Sequence, residues 1–230
     1  MPAESREPRP IDRRPIDRRP IEPPAPQDGA GGARLYENAL DATAQAALAE
    51  TVRRALADAP LFRPTMPRTG KPFSVRMTNL GPLGWVASKE GGYRYQGTHP
   101  ETGAPWPAIP DQVLAVWREV TGLPFDPEAC LVNWYGPDAK MGLHRDEDED
   151  AQDVPVVSIS LGDEARFRLG GPERKGPTTS LRLRSGDVLV LDGPARRCFH
   201  GVDRIYPGTS TLLEGPGRIN LTLRRVTRPG

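Results

Sequence analysis

The chain has 230 residues, 37% of them hydrophobic and 27% charged, with a formal net charge of +1, enough for one ordinary domain and some extra sequence. No run approaches the roughly 18 apolar residues of a membrane span, and the N-terminal part has no continuous apolar stretch of signal-peptide type, so a cytoplasmic protein with no membrane contact is expected. Cys130 and Cys198 are too few for a disulfide framework and lack zinc-site spacing.

Residues 1–32 are predicted to be a disordered leader rich in Pro and Arg. Arg9-Pro10-Ile11-Asp12-Arg13 recurs at 14–18 and decays from Arg19, and the segment offers too little apolar surface to offset the entropy of ordering. Residues 33–125 are expected to hold supporting helices and a lid, and residues 126–230 a β core, the two forming one structural domain. From Leu40, the residues Ala44, Ala47, Leu48, Val52, Ala55 and Leu56 recur at helical spacing, with Asp41 as N-cap and Pro60 as the stop. A second helix runs from Asp111, read as a capping residue, through Val113, Leu114, Trp117 and Val120 to Gly122. Both are read as scaffold. Between them, the segment from Met77 through Trp85 to Tyr93 and Tyr95 is rich in Gly, Pro and aromatics, which predicts turns and short strands that could form a lid.

Charge is unevenly placed. Residues 51–80 carry Arg53, Arg54, Arg63, Arg68, Lys71 and Arg76 against Asp58, while residues 146–153 are almost wholly acidic. Each run reads most simply as a solvated face, although the basic one could track phosphates.

From Cys130 onward, short β runs alternate with Gly and Pro clusters: Cys130–Tyr135, Val154–Leu161, Ala165–Leu169, Thr179–Leu183, Asp187–Leu191 and Arg218–Arg225. This texture predicts a sandwich or barrel, with a double-stranded β-helix (jelly roll) the natural candidate. The fold class is then α+β, with helices backing one sheet.

The chemistry concentrates here. His144 and Asp146 lie two apart, on one side of an extended segment, and His200 follows the strand ending at Leu191. Two histidines and a carboxylate can form a facial triad for Fe(II), although a lone His-X-Asp also arises by chance. The remaining histidine, His99, sits in Thr98-His99-Pro100 and reads as a surface loop. In Arg218-Ile219-Asn220-Leu221-Thr222-Leu223-Arg224, even positions are polar and odd positions aliphatic, so both arginines share one strand face. Inside a barrel such a face needs an anion, for which a dicarboxylate would serve; the competing reading is an exposed face with ordinary surface arginines.

Taken in order, the runs from Asn133 through Tyr135, His144 and Asp146 to Asp148, then Val157–Gly162, Gly186–Val190, Phe199-His200-Gly201 and Arg218–Arg224, resemble the signature blocks of the AlkB family of Fe(II)- and 2-oxoglutarate-dependent dioxygenases. Met77-Thr78-Asn79 with Gly84-Trp85 is similar to that family's nucleotide-recognition lid. The resemblance implies Fe(II), 2-oxoglutarate and O2 as cofactor and cosubstrates, with His144, Asp146 and His200 as catalytic iron ligands. It assigns 2-oxoglutarate to Asn133, Tyr135, Arg218, Asn220 and Arg224, Arg218 and Tyr135 at the distal carboxylate and Arg224 nearer the metal. Trp85 would stack on the flipped base and Asp148 approach its exocyclic nitrogen, while Met77, Tyr93 and Tyr95 line the lid and meet the backbone.

The implied activity is oxidative demethylation of 1-methyladenine or 3-methylcytosine in DNA, preferably single-stranded. It would be direct-reversal repair by a monomer, releasing formaldehyde and succinate. Three alternatives stay open: an RNA or tRNA base demethylase or hydroxylase, a 2-oxoglutarate oxygenase acting on protein or a small molecule, and a jelly-roll binding module without redox chemistry.

Overall fold

The computed structural model describes residues 31–229, so the leader expected over residues 1–32 lies outside the described residues apart from Gly31 and Gly32. In chain order the elements are β1 (Ala33–Tyr36), α1 (Ala42–Asp58), β2 (Arg76–Leu80), β3 (Gly84–Ser88), β4 (Gly92–Gln96), α2 (Asp111–Thr121), β5 (Ala129–Tyr135), β6 (Met141–His144), β7 (Val156–Gly162), β8 (Glu164–Leu169), β9 (Thr179–Leu183), β10 (Val188–Leu191), β11 (His200–Tyr206) and β12 (Arg218–Arg224). A short 3-10 helix, Gly193–Arg197, joins β10 to β11.

All paired strands are antiparallel. The major sheet has the order β1-β10-β7-β12-β5-β2, the minor sheet β6-β11-β8-β9, and β3 and β4 form a separate hairpin. Inward-facing residues of the two larger sheets, among them Leu35, Val156, Leu189 and Leu191 against Phe167, Leu169, Leu183 and Val202, form one apolar cluster. The opposite face of the major sheet packs Val157, Ile159, Leu221 and Leu223 against Leu48 and Val52 of α1 and Val113 and Trp117 of α2. This is the expected α+β jelly roll with helices behind one sheet. Among the described residues, no helix is long and apolar enough to cross a membrane.

Local sequence explains the boundaries. The Asp41 carboxylate accepts a hydrogen bond from the Ala44 backbone N–H at 2.8 Å, capping α1 as expected. Gly122 ends α2 with φ of 65°, a left-handed geometry that costs glycine little. Asp111 is not the cap of that helix: Pro110 occupies the cap position without a side-chain bond, and Asp111 is the first helical residue, where its charge favours the positive helix end. His99 also departs from expectation. Although it lies in a turn, it is only 1% exposed. Its Nε2 is 2.8 Å from the Pro60 carbonyl, its Nδ1 accepts from Glu101 and Thr102 N–H, and Phe62 and Trp106 pack on its ring. It is a satisfied core residue away from the cluster of chemistry-bearing side chains.

Two strands absent from the sequence reading, β6 and β11, carry two of the candidate ligands. They can approach because residue 201 is glycine: a Cβ there would stand 2.5 Å from the Met141 carbonyl oxygen. Gly201→Ala should therefore force β6 away from β11 and lower stability by about 1–3 kcal/mol, the usual cost of overpacking. A urea midpoint equal to the native one would contradict that steric reading.

Candidate active site

Across the β6–β11 pair, His144 and His200 are direct partners in register. Their ring centroids stand 4.5 Å apart. Asp146, two residues beyond the end of β6, places Oδ1 3.7 Å from His144 Nε2 and Oδ2 3.7 Å from His200 Nε2. The ligand atoms of these three residues all lie within 4.8 Å of one another. Each histidine's Nδ1 is against a backbone carbonyl, Gly142 at 3.0 Å and Cys198 at 3.1 Å. That contact assigns the proton to Nδ1 and leaves the Nε2 lone pair facing the centre. Asp146 is buried, and its Oδ2 has no hydrogen-bond partner. An orphaned carboxylate oxygen between two imidazole lone pairs fits a divalent cation of Fe(II) type.

Electrostatics agree with that donor set. Burial pushes His200 down to about 4, with His144 adding in the same direction, so His200 is neutral near pH 7. For Asp146, burial pushes the pKa up but is outweighed by Arg224, His200 and His144, which hold it well below the usual carboxylate range.

Behind the triad, the alternation of β12 divides the molecule. Ile219, Leu221 and Leu223 enter the core against the helices, whereas Arg218, Asn220, Thr222 and Arg224 line a cavity of about 360 Å³ between the sheets. All seven residues of β12 are buried, which removes the exposed-face reading of the arginines. Arg218 is 1% exposed; its Nη2 donates to Ser160 Oγ at 2.7 Å, while Nε and Nη1 have no partner. Burial lowers its pKa to about 10. Tyr135, its partner in register, is pushed up to about 12 by burial. Unpaired guanidinium donors in a closed space fit a carboxylate. Asn133 donates to Thr222 Oγ1 at 3.5 Å, Thr222 to Asn220 Oδ1 at 2.8 Å, and Asn220 to Ser158 Oγ at 2.7 Å, so these side chains form one polar floor.

At the other end of β12, Arg224 donates to Asp146 Oδ1 at 2.7 Å and to Glu149 Oε1 at 3.0 Å. Glu149 also binds Arg196 at 2.9 Å and the Tyr95 hydroxyl. Sequence reasoning missed both Glu149 and Arg196. The acidic run 146–153 is therefore no simple solvated face, since Asp146 and Glu149 point inward. A run of carboxylates on a loop gives no periodic signal, and only the buried partners reveal the difference.

The β3–β4 hairpin covers the cavity. Asn79 pins it by accepting from the Trp85 backbone N–H and donating to the Trp85 carbonyl. The Trp85 indole stacks on Tyr93 at 5.5 Å and donates from Nε1 to Asp148 Oδ2 at 2.8 Å. Met77 lines the cavity wall and Tyr93 is half exposed. The Tyr95 hydroxyl reaches inward to Glu149 and Arg224.

Because the folded-state pKa of His200 lies below its ordinary 6.5, the unfolded chain binds the proton first. Stability is fully present above about pH 6.5 and is lost as pH falls toward about 4, by on the order of 3 kcal/mol. In the presence of a chelator, His200→Gln should flatten the pH dependence of the urea midpoint in that window; an unchanged slope would contradict the assignment.

The model of the 2OG-Fe(II) oxygenase superfamily matches residues 32–224. The alpha-ketoglutarate-dependent dioxygenase AlkB homolog of Caulobacter vibrioides NA1000 is 54% identical over 192 residues, covering 84% of this chain and 86% of the relative. The AlkB dioxygenase of Escherichia coli K12 is 40% identical over 169 residues, 72% of this chain and 77% of that one. The solved structure of OsALKBH1 superposes with a TM-score of 0.74 at 31% identity, covering 84% of this chain and 96% of its own. The chain thus belongs to the AlkB family of the 2OG-Fe(II) oxygenases and is a dioxygenase dependent on Fe(II), 2-oxoglutarate and O2.

Proposed function

We propose that this enzyme removes methyl groups from ring nitrogens of alkylated nucleobases, 1-methyladenine and 3-methylcytosine in type, preferably in single-stranded DNA, as a cytoplasmic monomer that reverses the damage directly. The observation that carries this reading is the slot bounded by Trp85, His144 and Asp148. An aromatic ring, held by its own N–H to a carboxylate, lines the same cavity as the metal triad.

His144, Asp146 and His200 would hold the iron through Nε2, a carboxylate oxygen and Nε2. Arg218, with Tyr135 beside it, would take the distal carboxylate of 2-oxoglutarate on its two unpaired N–H groups. Arg224, already on Asp146, would sit at the metal end. Fe(II) and 2-oxoglutarate supply, with O2, the oxidising equivalent, 2-oxoglutarate leaving as succinate and carbon dioxide. Oxidation of the N-methyl carbon to N-hydroxymethyl is followed by loss of formaldehyde, and the base recovers its unmodified ring nitrogen.

The chain's own contribution is placement. A base must leave its stack to reach the triad, which costs least in a single strand or at a mispaired lesion. Trp85 would receive it by stacking. Methylation at a ring nitrogen makes adenine or cytosine cationic, and Asp148 presents a carboxylate to that charge. The segment with exposed Arg63, Arg68 and Lys71 runs alongside the hairpin, joined to β3 by the Thr65 N–H on the Ala87 carbonyl. These cations, together with Arg145 and Arg174 in the cavity lining, suit backbone phosphates. An oxygenase for proteins or small metabolites would need neither the aromatic hairpin nor this basic border.

Mass spectrometry tests the reading. A single-stranded DNA oligomer with one 1-methyladenine, incubated with protein, Fe(II), ascorbate and 2-oxoglutarate, should lose the mass of one CH2, with no loss for His144→Ala. Methyl loss only from the matching RNA oligomer would move the substrate to RNA. Succinate formation without change in either oligomer would contradict a nucleic-acid substrate.

A further inference from the structure

Arg196 lies in the 3-10 helix four residues before His200 and is 2% exposed. Its Nη1 donates to the Asp146 carbonyl at 2.7 Å, its Nη2 to Glu149 Oε2 at 2.9 Å and its Nε to the Val154 carbonyl at 3.0 Å. These acceptors are the beginning, middle and end of the single loop, between β6 and β7, on which Asp146 sits outside any strand. We infer that Arg196 is a positioning residue of the metal centre, a planar staple that fixes the loop carrying Asp146 relative to the segment carrying His200.

For stability alone, a guanidinium is a poor choice here. Taking a cation out of water costs several kcal/mol, and well-packed apolar residues in place of a buried ion pair are often neutral or better. What an apolar side chain cannot do is bind three acceptors in one plane at fixed angles. The segment from Arg196 to His200 is itself constrained: Cys198 N–H donates to the Ala195 carbonyl, and the Cys198 carbonyl takes His200 Nδ1. One rigid piece therefore bears the staple and one ligand, and the staple grips the backbone of another.

The staple also closes a ring. Glu149 passes from Arg196 to Arg224, and Arg224 holds Asp146 Oδ1, so the Asp146 backbone and carboxylate are each gripped by a different arginine, with a shared glutamate between them. This leaves Asp146 Oδ2, the orphaned oxygen, at 3.7 Å from His200 Nε2. Loss of Arg196 would free the carbonyl and loosen that spacing without removing any ligand atom.

The inference rests on the proposed ligand set, and Co(II) separates the two. Full-length protein is titrated anaerobically with Co(II) and followed by its visible ligand-field bands, for the native chain, Arg196→Met, Arg196→Lys and, as a stability control, Val113→Ala in α2, a buried core residue remote from the triad. The expected result is Co(II) affinity roughly 10–100-fold weaker in Arg196→Met, the usual range for a residue that orients a ligand, with altered bands, a smaller loss in Arg196→Lys, and native binding in Val113→Ala despite its lower urea midpoint. Native affinity and bands in folded Arg196→Met overturn the inference, as does an equal loss in Val113→Ala, which would make the effect one of stability. If Arg196→Met does not fold, Arg196→Lys decides on the same criteria, since it keeps the charge but cannot bind three acceptors in one plane. Absence of Co(II) binding to the native chain would instead sink the ligand set itself.

Discussion

Two guanidinium groups enclosed between two β sheets set the terms for everything else in this molecule. An unpaired buried cation is costly, so each must meet negative charge or strong acceptors within the fold. Arg224 meets them internally: burial alone would lower its pKa, yet Asp146, Tyr95 and Glu149 raise it well above the ordinary arginine range. Arg218 does not. It has Ser160 and the Tyr135 ring nearby, two N–H groups without partners, and a pKa drawn down by burial. One end of β12 is thus electrostatically complete and holds Asp146 in place. The other end is incomplete, and under the proposed function a carboxylate of the cosubstrate would complete it.

The same strand couples fold to site, because period-two alternation assigns its halves to different work. Removing Leu221 would strike the helix-backed core, whereas changing Asn220 would strike the cavity floor one residue away. The triad is built by another sheet: His144 and His200 meet through the β6–β11 pairing, and Asp146 is placed by arginines from β12 and the 3-10 helix. The centre therefore depends on the two sheets being held at a fixed separation. The hairpin joins this scheme through Tyr95, whose hydroxyl ties the lid's base to the Glu149–Arg224 pair, and through Trp85, whose indole is held over the cavity by Asp148.

Much of this was legible in the residues. The alternation of Arg218–Arg224, the His144-X-Asp146 spacing, the α1 cap at Asp41 and the stop at Gly122 are local signals, and local chemistry decides them. Long-range partners decide the rest. β6 is four residues with a glycine inside it, too short for periodicity to show, and β11 is interrupted by a register shift between Val202 and Arg204. His99 sits in a Gly- and Pro-rich turn, yet Phe62, distant in sequence, packs on it together with Trp106 from the same turn region. Glu149 looks like a member of a solvated acidic run and Arg196 carries no local signal, and only their enclosure reveals them as a pair. Tyr95 shares its strand face with Tyr93 but finds Arg224 across the fold.

The most direct measurement is the binding of 2-oxoglutarate and of 2-oxobutyrate, which lacks the distal carboxylate, to the Fe(II) protein under anaerobic conditions, for the native chain and Arg218→Met. If the unpaired donors of Arg218 receive the distal carboxylate, the native protein prefers 2-oxoglutarate by at least about 10-fold, as one charged hydrogen bond is worth roughly 1.5–3 kcal/mol, and Arg218→Met loses that preference while still binding iron. Equal discrimination by both proteins would contradict the central claim that β12 provides the dicarboxylate site.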